Sequence, residues 1–171
     1  MARRSVHYEA AFESYLRAKG WPYVLVDEAK KAVFAQAAIK SFDFLVYSNS
    51  GPNLLVDVKG RKFPDGSRGG QASRAWENWV TREDVESLQE WQNIFGQGFV
   101  GMLVFAYWLQ GPPQRAPFAD VHFFRQRYYA FAAVALEDYA RAACPRSAKW
   151  QTLAMPAAQF RRCIQDVGQM L

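Results

Sequence analysis

Cysteine and histidine are scarce in this chain of 171 residues, with two of each. Cys144 and Cys163 are too few for a disulfide framework, and neither sits in a cluster with metal-ligand spacing. They read as reduced thiols in a reducing compartment, and two histidines argue against a zinc site. Long hydrophobic runs are also lacking. The longest, Phe99 to Leu109, is too short to span a bilayer, and the charged start MARRSVHYEA is followed by no apolar stretch of the secretory kind. A cytoplasmic location with no membrane partner is the expectation. There is no phosphate loop, no dinucleotide fingerprint, no Ser-His-Asp or Cys-His arrangement and no internal repeat. Nor does one sign of charge dominate. Lys and Arg number 21 against 16 Asp and Glu, a net charge of +5 that permits a polyanionic partner without requiring one.

What is present is a globular composition, 50% hydrophobic and 22% charged, which excludes a disordered or low-complexity chain. The length suits a single domain over 1–171. Tyr8, Ala11, Phe12, Tyr15 and Leu16 recur at helical spacing, predicting an amphipathic helix over 5–19 with Ser5 as N-cap and Gly20 as stop. Trp21–Val26 is short, β-branched and aromatic, hence a strand. Residues 27–40 fit a loop, a strand end or a helical turn. Phe42–Tyr47 and Leu54–Lys59 flank the turn formers Ser48–Asn53, predicting an antiparallel hairpin. Arg61–Arg74 reads as an exposed, mobile basic loop, and Trp76–Val80 as a short strand. Thr81-Arg82-Glu83-Asp84 is a capping-box pattern for a helix over 82–95, with Val85, Leu88, Trp91 and Phe95 inward. Phe99–Leu109 is apolar on both faces, as in a buried central strand. Beyond it come a strand over about 121–134, a helix over 136–143, a short strand over 150–154 and a helix over 156–167.

Chemistry concentrates in the hairpin. Asp57 and Lys59 are two apart on a strand and share a face, while Val56 and Val58 point the other way into a core. An acid on a mid-domain strand needs a partner or a metal. Asp43, at the start of the preceding strand, brings a second carboxylate near Asp57, with the register left open by sequence. Two carboxylates resist ionising side by side, and a divalent cation removes that penalty. Hard oxygen ligands suit Mg²⁺ best. With Lys59 beside them to orient a water or stabilise phosphate charge, the arrangement suits metal-assisted phosphodiester hydrolysis. A chance cross-strand salt bridge is the bland alternative.

Asp43 … Asp57-Val58-Lys59 resembles the core of the PD-(D/E)XK, or restriction-endonuclease-like, nuclease superfamily. The order of elements is similar to its Holliday-junction-resolvase branch: a helix acid at Glu9, the Lys19-Gly20 helix end, a strand, the hairpin, then Trp79–Leu88, Gly98 and a buried strand. The helix opening His7-Tyr8-Glu9-Ala10-Ala11-Phe12-Glu13 is similar to the signature of an uncharacterised group, the HYExAFE family. The resemblance covers about 5–109 and departs at Phe42, where the superfamily has proline. It implies an α/β fold with a restriction-endonuclease-like core, a central mixed sheet flanked by helices, plus a C-terminal α/β extension over about 120–171. It also implies a Mg²⁺-dependent (or Mn²⁺-dependent) DNA endonuclease or resolvase-like phosphodiesterase. In that scheme Asp43, Asp57 and the Val58 carbonyl bind metal, Lys59 positions or activates the attacking water, and Glu9 reaches the metal directly or through water.

Glu13 is the competitor of Glu9, one turn on. His7 is either a metal or phosphate contact or, more commonly for its position, a solvated helix-start histidine. Arg61, Lys62, Arg68 and Arg74 are the phosphate-contact candidates, against a merely solvated loop. Trp76, Trp79 and Trp91 are base-stacking candidates, although tryptophans among apolar residues usually pack inside. The alternative reading is a catalytically inactive nuclease scaffold that binds nucleic acid or serves assembly; an enzyme with another substrate is a weaker third. The substrate's structure and homodimer formation are left open.

Overall fold

The computed structural model describes residues 6–26, 39–66 and 75–171. Six strands form a central mixed sheet in the order β1(Tyr23–Leu25), β2(Phe44–Val46), β3(Asn53–Phe63), β5(Phe99–Leu109), β7(Arg127–Ala135), β6(His122–Phe124). β1, β2 and β3 are successively antiparallel, β3 runs parallel to β5, and β7 returns antiparallel to β5. The two longest strands, β3 and β5, have 11 residues each and form the centre, where both faces are covered. A smaller sheet follows the order β4(Val80–Thr81), β9(Thr152–Ala154), β8(Cys144–Ser147).

Strand alternation divides the core. Leu54, Val56 and Val58 of β3 and Met102, Val104 and Ala106 of β5 face α1(Val6–Lys19), meeting Tyr8, Ala11, Phe12, Tyr15 and Leu16. Leu55 and Phe63 of β3 and Leu103, Phe105 and Tyr107 of β5 face the opposite layer. That layer comprises α2(Arg82–Phe95), α3(Leu136–Ala142) and α4(Ala157–Cys163). α1 and β3 touch at Gly60, where a Cβ would lie 2.1 Å from Cδ2 of Tyr8, so only glycine fits. Gly20 ends α1 with φ +72°.

The helices over 6–19 and 82–95, the hairpin and the buried strand agree with the sequence. Thr81 caps α2 with the reciprocal Thr81–Asp84 bonds of a capping box. Several boundaries differ. β3 runs on to Phe63, so Arg61 and Lys62 belong to a strand rather than a loop. The strand expected over 76–80 shrinks to Val80–Thr81. The single strand over 121–134 is a hairpin, β6–β7, whose turn residues Arg125 and Gln126 both have positive φ (47° and 63°). Such a turn is usually signalled by Asn-Gly, which is missing here. The last helix stops at Cys163, and β8 has no strong strand signal because it contains Pro145. On α2, Leu88 is buried, Val85 and Trp91 are half-buried and Phe95 is exposed at the margin; Asp84 and Ser87 take the buried positions instead. Ser5, Arg68, Arg74 and most of 27–40 lie outside the described residues. No described helix is long and apolar enough to cross a membrane.

Candidate metal-assisted hydrolytic site

The β2–β3 register pairs Phe44 with Val56, and Asp43, one residue before that last pair, lies beside Asp57. The Asp43 backbone N–H donates to the Val56 carbonyl (2.8 Å), and Oδ2 of Asp43 accepts from the Val58 N–H at 2.7 Å. Phe42 is buried against Trp91 and Phe95 and anchors the entry to β2.

Asp57 and Lys59 share the α2 face of β3, as the spacing requires. Asp57 is 6% exposed, and its Oδ2 lies 3.0 Å from Nζ of Lys59. The same ammonium is 3.1 Å from Oδ1 of Asp84, which is also ion-paired with Lys40. Asp84 was not among the sequence-derived site residues. The capping box places it at the third helical position and gives a full local account of it, so its second use, as a buried partner of Lys59, is visible only once α2 is docked on β3. Its Oδ2 accepts from the Thr81 N–H (2.9 Å), leaving Oδ1 for the two lysines.

Electrostatics follow from this geometry. Burial pushes the Asp57 carboxyl up to about 7; Lys59 opposes the shift, while the charges of Asp43 and Asp84 reinforce it. The ammonium of Lys59 is divided between two acids and does not offset the desolvation of Asp57. Burial likewise raises Asp43 to about 6, opposed by the Val58 N–H and reinforced by Glu9. Burial also works against ionisation of Asp84, but Lys59, Lys40 and the Thr81 N–H outweigh it and hold the group down to about 2. Lys59 itself is raised, since Asp57 and Asp84 overcome its burial.

Glu9 projects from α1, which packs on the opposite face of the sheet, and its charge is felt at Asp43. Glu13 is engaged elsewhere, accepting from Arg17 Nη2 and the Tyr23 hydroxyl, each at 2.8 Å. His7 is not a solvated histidine. It is half-buried, its Nδ1 is 2.9 Å from the Tyr129 hydroxyl, and its ring lies edge-on to Trp108. Arg61 is half-buried and donates to the carbonyls of Gly60 and Trp79, while Lys62 is exposed with its ammonium 5.4 Å from the Trp108 ring centre.

Asp43 and Asp57 supply hard oxygen donors whose mutual charge and burial a cation would offset, so the donor chemistry fits a divalent metal. Among the described residues, however, no three His, Cys, Asp or Glu side chains converge closely enough to hold one by themselves.

No family model matches the chain, and no curated protein matches it. Seven chains of solved structures do match. One is Hjc, a Holliday junction resolvase from the archaeal hyperthermophile Archaeoglobus fulgidus, with TM-score 0.55 and 14% identity over 96% of this chain and 98% of that chain. The likeness therefore extends past residues 5–109, which carry the sequence motifs, into the C-terminal strands that complete the sheet. In fold, this chain is similar to that resolvase.

Proposed function

We propose that the protein is a Mg²⁺-dependent DNA endonuclease of the resolvase-like kind, hydrolysing phosphodiester bonds. The observation that carries this reading is the juxtaposition of Asp43, Asp57 and Lys59 on adjacent strands of a resolvase-like fold. Asp43 and Asp57, with the Val58 carbonyl and with Glu9 directly or through water, would hold the ion; when bound, it supplies charge neutralisation at the phosphate and lowers the pKa of water. Lys59 stays protonated between Asp57 and Asp84, which suits it to orient a water and stabilise phosphate charge rather than to accept a proton. Asp84 is a positioning residue that fixes the lysine. Lys62, exposed on β3, contacts the sugar-phosphate backbone, as do Arg68 and Arg74; Arg61, bonded to main-chain carbonyls, contributes fixed positive charge.

A second reading, a nucleic-acid-binding scaffold without catalysis, is favoured by one observation: no three-ligand group is assembled among the described residues. Cleavage assays on supercoiled plasmid, duplex, single-stranded and four-way-junction DNA with Mg²⁺, Mn²⁺ or EDTA separate the two. Metal-dependent cleavage that disappears in Asp57→Ala supports the nuclease. Salt-dependent binding without turnover on any substrate transfers the assignment to the scaffold.

A further inference from the structure

A cavity of about 220 Å³ opens beside the small sheet, walled by Trp76, Glu77, Trp79, Arg146 and Met155. None of these residues belongs to the carboxylate site. The walls are held in place. Asn78, 4% exposed, donates to the carbonyls of Trp76 (3.2 Å) and Met155 (3.0 Å) and accepts from the Met155 N–H (2.8 Å). The Tyr139 hydroxyl donates to the Asn78 carbonyl at 2.7 Å. These bonds tie the segment carrying both tryptophans to β9, so the cavity exists before a ligand arrives.

Its chemistry is specific. Two indoles and a thioether provide flat, polarisable walls. Glu77, exposed at the rim, accepts hydrogen bonds. Arg146 is exposed, with its guanidinium carbon 5.5 Å from the Trp79 ring centre, and Arg161 lies 5.8 Å from that of Trp76. Neither arginine has an acidic partner among the described residues. Flat walls, an acceptor for ring or amino N–H groups and cations at the mouth match a nucleobase with its phosphate.

Position links the cavity to the carboxylates. Asp57, Lys59 and Arg61 share a face of β3, and Arg61 lies roughly 13 Å along the strand from Asp57 at about 3.3 Å per residue. The Arg61 guanidinium donates to the Trp79 carbonyl and sits 4.0 Å from its ring centre. One nucleic-acid strand can reach both places.

We propose that this cavity holds one unpaired nucleobase of the substrate strand, stacked on the tryptophans, with the Arg146 guanidinium taking an adjoining phosphate. The proposal rests on the nuclease reading for its substrate class and narrows it. A base inside an intact duplex does not fit, so the preferred nucleic acid presents a single-stranded stretch beside the scissile phosphate.

The test is binding of a mixed-sequence single-stranded oligodeoxynucleotide and its duplex to the Asp57→Asn protein in EDTA, read by fluorescence anisotropy and tryptophan quenching. The single strand binds more tightly and quenches. Trp79→Ala weakens single-strand binding by roughly five- to a hundredfold, the range expected for one base–aromatic stack. On an oligonucleotide with the stacked base removed, the same substitution has no further effect. Arg146→Ala, at an exposed position that leaves the fold intact, also weakens the single strand. Equal affinity for duplex and single strand, or an Arg146→Ala protein binding single strands as tightly as before, overturns the proposal. Cleavage by the unaltered protein is scored separately. Metal-dependent cleavage without these effects rejects the cavity and keeps the nuclease, whereas cavity-dependent binding without cleavage does the reverse.

Discussion

Nζ of Lys59 lies 3.1 Å from Oδ1 of Asp84, an acid contributed by the first turn of a helix packed over the strand that carries the lysine. That contact turns a helix cap into part of a charged site. It also favours the protonated form of Lys59, since two carboxylates face one ammonium and outweigh the opposing effect of burial.

Asp84→Asn keeps an acceptor for the Thr81 N–H but removes the charge facing Lys59 and Lys40. We expect a loss of about 1–3 kcal/mol of stability, the usual cost of weakening a buried charge-assisted bond, read by denaturant unfolding. Cleavage then declines at lower pH on the alkaline side, because Lys59 gives up its proton more easily. An unchanged pH profile rejects the positioning role.

The raised Asp57 and Asp43 carboxyls predict the sign of the pH dependence of stability. Between pH 4 and about 7 the folded state retains protons that the unfolded chain has released, so without divalent ions stability falls as pH rises through this window. Asp57→Asn, which cannot ionise, is therefore at least as stable as the parent at pH 8 and loses that advantage at pH 5, as thermal unfolding at the two pH values shows.

A cation at Asp43 and Asp57 stabilises their ionised forms. Mg²⁺ should raise the melting temperature more at pH 8 than at pH 5, and binding should release protons. The effect disappears in Asp57→Asn. An equal Mg²⁺ effect in that variant places binding elsewhere.

Glu9→Gln should reduce cleavage by roughly 10- to 100-fold, the range for a group supporting a metal site. Glu13→Gln loses only contacts to Arg17 and Tyr23 at the helix edge and should leave the rate near its starting value. Rates measured at several Mg²⁺ concentrations decide between them. The reverse outcome exchanges the two roles.

Gly60→Ala would press a methyl group onto the buried Tyr8 ring. Overpacking of this kind costs about 1–3 kcal/mol, measured by unfolding, and it displaces α1 together with Glu9, so cleavage drops as well.

By itself, the sequence determined the elements whose signals are local. Thr81 and Asp84 cap α2, Gly20 stops α1, and the alternation around Val56-Asp57-Val58-Lys59 sends the valines to one core and the charges to the other face. Those signals placed Asp43, Asp57 and Lys59 within one hairpin, while the register that sets Asp43 beside Asp57 came from the structure. The tertiary structure decided everything that depends on docking between layers. It brought Asp84 and Lys40 to the site, sent Glu13 to Arg17 and Tyr23, set the half-buried His7 against Tyr129 and placed Arg61 against Trp79. It also joined the β6–β7 hairpin, whose turn lacks the usual glycine, to the central sheet by pairing β7 with β5. The physical reason is the same throughout. A cap, a turn or an alternating strand is specified by neighbours within a few residues, whereas a buried ion pair between β3 and α2 exists only after apolar faces far apart in the chain have packed together.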